Sequence, residues 1–206
     1  CIDIHKKNVA MATLNITLES TTFMDPSAPA EDLAISTLGY GETSRLYTNL
    51  VSKSSLANSC SSSMMFMTNG GSHFIKTIFP LKNISKVISE ICKILHELYQ
   101  NGFDDNETNR MRNQYIASKV YEKESIESFA FSLGHGFAQN GDVFSEDKFI
   151  EKMKSVTTNQ VNAALISMLN RTPHIFLQVP SETKSISLYK KELEKLDIFV
   201  SINKEF

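Results

Sequence analysis

Residues 38–63 read Leu-Gly-Tyr-Gly-Glu-Thr-Ser-Arg-Leu-Tyr-Thr-Asn-Leu-Val-Ser-Lys-Ser-Ser-Leu-Ala-Asn-Ser-Cys-Ser-Ser-Ser, and they decide how the chain is built. Just before them, Leu33, Ala34, Ile35 and Leu38 form an apolar run with helical spacing. Gly39 and Gly41 bracket Tyr40, so that helix is expected to stop in a left-handed turn, which glycine tolerates because it lacks a Cβ. Thr43 or Ser44 can then cap a short second helix carrying Leu46, Tyr47 and Leu50 on one side. From Leu56 onward the residues become small, polar and compatible with a strand.

Upstream, Asn8 to Ser20 alternates and is rich in β-branched residues, the pattern of a half-buried strand, and Pro26 and Pro29 mark the turn into the first helix. Downstream, residues 56–67 and 72–80 are two extended runs separated by Thr68-Asn69-Gly70-Gly71, and Asn-Gly between such runs predicts an antiparallel hairpin. Asn83 can cap a helix whose Ile84, Val87, Ile88, Ile91, Leu95 and Leu98 share a face, ending at Asn101-Gly102. A helix begins at Asp104 or Asp105 and carries Met111, Tyr115 and Tyr121. Another runs from about Ser125 to Gln139 and is broken by Asn140-Gly141-Asp142. Shorter helices are expected at 146–154 and 158–170, then a strand His174 to Val179 between Pro173 and Pro180, and a charged helical tail Glu182 to Leu196. Strands from both ends of the chain with helices grouped between them predict a two-layer α+β fold.

The ordered set Leu-Gly-x-Gly-x-x-Ser-Arg-Leu-Tyr-x-x-Leu-Val-x-Lys-x-x-Leu-Ala-x-Ser rests on Gly39, Gly41, Ser44, Arg45, Leu46, Tyr47, Leu50, Leu56 and Ala57. It resembles the signature of the second, non-zinc domain of the pitrilysin/insulinase-type (M16) zinc metallopeptidases, the superfamily that includes the mitochondrial processing peptidase subunits. The resemblance extends over roughly residues 8 to 180, about one ordinary domain. It implies a LuxS/MPP-like metallohydrolase fold, an α+β two-layer sandwich with a largely antiparallel sheet and helices packed on one face. Residues 1–180 would be that domain, and 181–206 a charged helical tail or the start of a linker.

The chain has 206 residues, 41% of them apolar and 21% charged, enough for a sizeable core. A net charge of −2 with dispersed Lys and Arg gives no footprint for nucleic acid or an anionic membrane. No uncharged apolar run approaches the ~20 residues that span a bilayer. Cys1, Cys60 and Cys92 lack metal-ligand spacing and cannot all pair internally, so buried or free thiols are expected. The chain starts with cysteine and carries no secretory signal, the look of an excised or processed piece, and its compartment cannot be read.

Zinc hydrolysis in the resembled family uses His-x-x-Glu-His on a helix, two imidazoles on one face and a glutamate that polarises the metal-bound water. None of His5, His73, His96, His135 and His174 has a second histidine at +4. His96-Glu97 is half of a His-Glu-x-x-His pattern, but position 100 is Gln, and His96 reads as an ordinary helix-face residue. The family's other contribution is an arginine with a tyrosine seven positions later, which hold the substrate carbonyl. Here those positions are Val51 and Asn58, and neither can replace its counterpart. By resemblance Arg45 and Tyr47 belong to the helix that packs the glycine turn, while Glu42 and Ser44 read as turn and cap residues, since no His or carboxylate is spaced to make a triad.

The strand Ser59 to Met67 has two readings. It is an edge that takes up extended peptide, making Ser61, Ser63, Met65 and Met67 substrate-groove or interdomain contacts. Alternatively it faces the core with methionines filling gaps, the reading its composition favours. Gly134-His135-Gly136 is either a contact loop or a helix irregularity.

The resemblance thus implies a non-catalytic piece of a zinc-dependent endopeptidase, inactive alone, which completes a peptide chamber and braces the zinc domain. Its partners would be a preceding zinc-binding domain, the second half of the clamshell and a peptide substrate. No cofactor is expected in this chain, zinc being expected in the preceding domain of the parent. The alternative is a non-catalytic scaffold or partner subunit of the processing-peptidase or core-protein type. A third reading is a stand-alone binding module whose motif match is fortuitous.

Overall fold

The computed structural model describes residues 1–184 and 186–197. Five strands form one sheet in the order β1-β5-β2-β4-β3. They are β1 (Ile2–Lys7), β2 (Ala12–Ser20), β3 (Ser59–Met67), β4 (Gly70–Phe79) and β5 (His174–Pro180). Every pairing is antiparallel except β1 with β5. The helices are α1 (Ala28–Gly39), α2 (Arg45–Tyr47), α3 (Ile84–Asn101), α4 (Asp105–Glu122), α5 (Ile126–Asn140), α6 (Ser145–Ser155), α7 (Thr158–Leu169) and α8 (Ser187–Leu193). The result is the expected α+β sandwich.

Strand alternation separates two faces. Ala12, Leu14, Ile16 and Leu18 of β2, Ile75 and Phe79 of β4, and Leu177 and Val179 of β5 point into the helical layer and are at most 1% exposed. Thr13, Asn15 and Thr17 point the other way beside Lys76, Phe74 and Phe176, on the face the helices leave open. Helix α1 is buried along its whole length, and α3 contributes a stripe of Val87, Ile88, Ile91, Leu95 and Leu98. Leu33, Ile35, Leu38, Leu46 and Leu50 are all fully buried.

The structure departs from the sequence reading at several places. The run from Asn8 is a strand only from Ala12, and β1 was not foreseen. Ile2–Lys7 ends in charged residues, and its pairing depends on β5, which lies at the far end of the chain. In the hairpin, Met67 pairs with Gly70, so the two-residue turn is Thr68-Asn69, and both glycines belong to β4. β3 starts at Ser59, leaving Leu56 and Ala57 in the connection.

Gly39 is the last helical residue, and the positive φ of 79° falls on Gly41. The left-handed step therefore comes two residues after the expected stop. Of the two candidate caps, Ser44 accepts from the Tyr47 N–H, while its own hydroxyl donates to Gly41 O at 2.7 Å. The helix it starts widens at once into a π-helical segment, Thr48–Lys53. Leu50 O then accepts from both Leu56 N and Ala57 N, which steers the chain into β3.

Asn83 does not cap α3 with its side chain, because its amide donates to Leu56 O at 2.9 Å. Asp104 starts α4 through a full capping box with Glu107. Gly134-His135-Gly136 lies inside the unbroken α5, where Gly136 lets the helix approach Ser145. The charged tail contributes only α8 and a 3-10 turn, Glu194–Asp197, with Leu193 and Leu196 buried. Residues 198–206 of that tail lie outside the described residues.

Candidate functional site

β3 is an edge strand whose only ladder among the described residues is with β4. Its side chains alternate: Cys60 and Ser62 are buried, whereas Ser61, Ser63, Met65 and Met67 are exposed, the two methionines by about half. All four expected contact residues thus lie on the open side of the sheet. The motif residues sit behind this strand, with Leu46, Leu50 and Ala57 buried and Tyr47 and Leu56 half-buried.

Gly39 brings the end of α1 against β3. A Cβ there would lie 2.7 Å from Ser62 Oγ and 3.0 Å from the Ser62 backbone nitrogen. The Ser62 hydroxyl donates to Ile35 O, binding the strand to the helix.

Along the free margin of β3, beside Ser62 to Phe66, runs a cavity of about 810 Å³ between α1, α4, α5 and α6. That volume is within the ~300–1,000 Å³ usual for ligand sites. One end is aromatic: Phe23 stacks on Phe149 at 4.7 Å, and Phe66 meets both rings edge-on. Across the opening, Phe131 of α5 stacks on His135 at 5.6 Å.

The rest of the lining is mostly neutral but includes four carboxylates. Asp32, Glu122, Glu127 and Glu146 face a single cation, Lys119, which pairs with Glu122 and Glu146 at 2.8 Å each. Asp32 is 8% exposed and accepts from Ser36 Oγ at 3.4 Å and from Tyr115. Burial pushes its carboxyl up to about 6 against the pull of those two hydrogen bonds. Burial and the Asp32 charge together raise the Tyr115 phenol. At Glu146 burial acts upward, but hydrogen bonds from Lys119 and Ser132 outweigh it and keep the carboxylate ionised. Ser62 and Ser132 are already committed as donors, to Ile35 O and Glu146. Among the described residues, no hydrogen bond joins a lining serine to His135.

A second network lies beneath the sheet. Glu31 is 3% exposed and lies 3.0 Å from His73 Nε2, while Arg171 holds it from the other side and donates to Glu19 O at 2.7 Å. These contacts tie α1, β4, β2 and the loop after α7 together. At the opposite edge of the sheet, ligand atoms of Cys1, Asp3 and His174 lie within 4.8 Å of one another, with His174 Nε2 2.8 Å from Asp3.

Asp32, Lys119 and Glu146 were not named from the sequence, and Tyr115 only as a helix-face residue, because the fold gathers them from three helices and only Tyr115 and Lys119, one turn apart on α4, share local spacing. One signal was available. Glu31-Asp32 is a pair of carboxylates inside the apolar run Ala28 to Leu38, and acids at buried positions need built partners.

The sequence profile described as "Peptidase M16 inactive domain" matches residues 1–115, more than half of the chain. A peptidase M16 inactive domain from Pseudomonas fluorescens superposes with a TM-score of 0.76 at 19% identity, covering 89% of this chain and 44% of that one. An inactive peptidase domain from Bordetella parapertussis gives 0.73 at 16% identity, covering 88% and 98%. A chain of complex III2 from Candida albicans gives 0.75 at 11% identity, covering 95% and 48%. This chain thus spans less than half the length of the Pseudomonas and Candida chains. No curated protein sequence matches it. No described helix is long and apolar enough to cross a membrane. From its profile match and its fold, the chain belongs to the peptidase M16 inactive-domain family.

Proposed function

We propose that this chain is the non-catalytic domain of a zinc-dependent M16 endopeptidase, completing a peptide-binding chamber, bracing the zinc domain and holding substrate along the edge of β3. The observation that carries this reading is the free β3 edge lying beside a cavity of about 810 Å³. An extended peptide added to an edge gains main-chain hydrogen bonds, and alternate side chains drop to either face. One set would lie on the open face with Ser61 and Met67, the other would enter the cavity, whose rim Ser63 and Met65 share. His-x-x-Glu-His is absent from the sequence, so the zinc and its water chemistry would come from a preceding domain of the parent, and the second half of the clamshell would close the chamber. Incubating the chain with unstructured peptides tests the division of labour: binding without cleavage is expected, and cleavage abolished by a zinc chelator would overturn it.

Val51 and Asn58, standing where the family's arginine and tyrosine would be, fit the domain that follows the zinc domain in the active half, and a second reading, a scaffold or partner subunit of the processing-peptidase or core-protein type, differs from this one in what precedes the chain. An upstream reading frame with a degenerate zinc motif would select it.

A further inference from the structure

We propose that Cys1, Asp3 and His174 bind one borderline divalent cation of the zinc class, which clamps β1 to β5. This stands independently of the peptide-binding reading. Ile2 and Ile4 pack against the core, so Cys1 and Asp3, two residues apart along the strand, share the face that the helices leave open. β5 runs parallel to β1 and its Ile175 pairs with Ile2, so His174, one step earlier, stands level with Cys1. Side chains from opposite ends of the chain therefore converge, a grouping that ligand spacing in the sequence cannot reveal.

The distances suit a metal. Cys1 Sγ lies 3.8 Å and His174 Nε2 2.8 Å from Asp3 Oδ2, and all three ligand atoms lie within 4.8 Å of one another. Zinc bonds of about 2.0–2.3 Å in a tetrahedron separate ligand atoms by about 3.4–3.6 Å, so side-chain adjustments of about an ångström complete the site. A thiolate, a carboxylate and a neutral imidazole balance a divalent charge, and the thiolate favours zinc over magnesium or calcium. Binding releases the thiol proton to solvent. The main chain of Cys1 is held in place: its nitrogen donates to Pro173 O at 3.1 Å, and its carbonyl accepts from Ile175 N at 2.8 Å. Asp3 and His174 are about half exposed, which leaves the fourth position to water. Among the described residues β1 pairs only with β5, so a metal bridging the two strands fixes this edge of the sheet.

Titrating the full chain with Co²⁺ tests this, because a cysteine ligand gives a thiolate-to-cobalt charge-transfer absorption that carboxylate and imidazole alone do not. One equivalent should bind and be displaced by Zn²⁺, and β1 amides should exchange more slowly in the Zn²⁺-loaded chain. Cys1→Ser should remove the absorption. Asp3→Asn and His174→Ala should each weaken Zn²⁺ by about tenfold or more, the loss that even outer-shell changes cause. His96, one turn from Cys92 on α3, offers a rival thiol-imidazole pair, and His96→Ala should leave binding unchanged. A native chain without the charge-transfer absorption would overturn the proposal, whatever the folding of the variants. So would an absorption that survives Asp3→Asn or His174→Ala undiminished, or one that His96→Ala removes, since each assigns the metal to another site. Loss of binding when two residues are added ahead of Cys1 would also overturn it, pointing to an amine-thiol chelate at the first residue.

Discussion

Ser62 occupies the space that a β-carbon on Gly39 would need: its Oγ lies 2.7 Å, and its own Cβ and backbone nitrogen 3.0 Å, from that position. The close approach of α1 to the edge strand is set by this pair. Gly39→Ala should therefore destabilise the chain by about 1–3 kcal/mol through overpacking. Adding Ser62→Ala should recover only part of the loss, because the backbone nitrogen and Cβ still collide. Chemical denaturation of the two single variants and the double gives the coupling, and full recovery would place the strain in the hydroxyl alone.

Leu38 and Leu46 pack on either side of the glycine turn and are fully buried. Each change to alanine should cost about 2–5 kcal/mol, the range for a buried leucine. Urea midpoints unchanged by either substitution would mean that the helix registers are wrong.

The helices and the hairpin were legible because their signals are local. The apolar stripe from Ile84 to Leu98, the Asn140-Gly141 break and the alternation of Ala12 to Ser20 each specify an element without reference to the rest of the chain. β1 was not legible, since a short strand ending in His5-Lys6-Lys7 exists only because β5 offers it a parallel partner. The π-helical turn after Tyr47 was hidden for a similar reason: Leu50 O is drawn to Leu56 N and Ala57 N by the need to enter β3. Ser61, Ser63, Met65 and Met67 could be named from composition and alternation, but which face they take depends on α1 docking through Gly39. The cavity is assembled by packing and left only the buried Glu31-Asp32 pair as a trace.

Arg45 and Glu107 make a two-bond ion pair, Nε to Oε1 at 2.7 Å and Nη2 to Oε2 at 2.8 Å, fastening α2 to the first turn of α4. The guanidinium also sits 6.0 Å from the Phe103 ring centre. Lysine can reproduce the charge but not the fork, so Arg45→Lys should cost about 1 kcal/mol, modest because both groups are partly solvated. Thermal unfolding of Arg45→Lys against Arg45→Met separates the fork from the packing of the stem.

Asp32 and Glu31 are neighbours on α1 with opposite responses to pH. Burial raises Asp32 from 3.8 to about 6, so the folded state holds its proton more tightly than the unfolded chain. Stability should then fall as pH rises from about 4 to about 6, by about 3 kcal/mol in the limit. Glu31 goes from 4.5 to about 2, because hydrogen bonds from His73 and Arg171 outweigh the upward effect of burial. Its stabilisation is full above 4.5 and is lost as pH falls toward 2. Asp32→Asn should flatten the upper window and be more stable than the native chain near neutral pH. Urea midpoints between about pH 4 and pH 7 check this, and a native chain that gains stability across that window would refute the Asp32 assignment.

The central claim is that the β3 edge receives extended peptide. Amide hydrogen exchange of the full chain, with and without a saturating unstructured peptide, measures it directly. The account predicts new protection concentrated in Ser61 to Met67, with β1, the opposite edge, unchanged. Protection that appears elsewhere while β3 exchanges as before would contradict it.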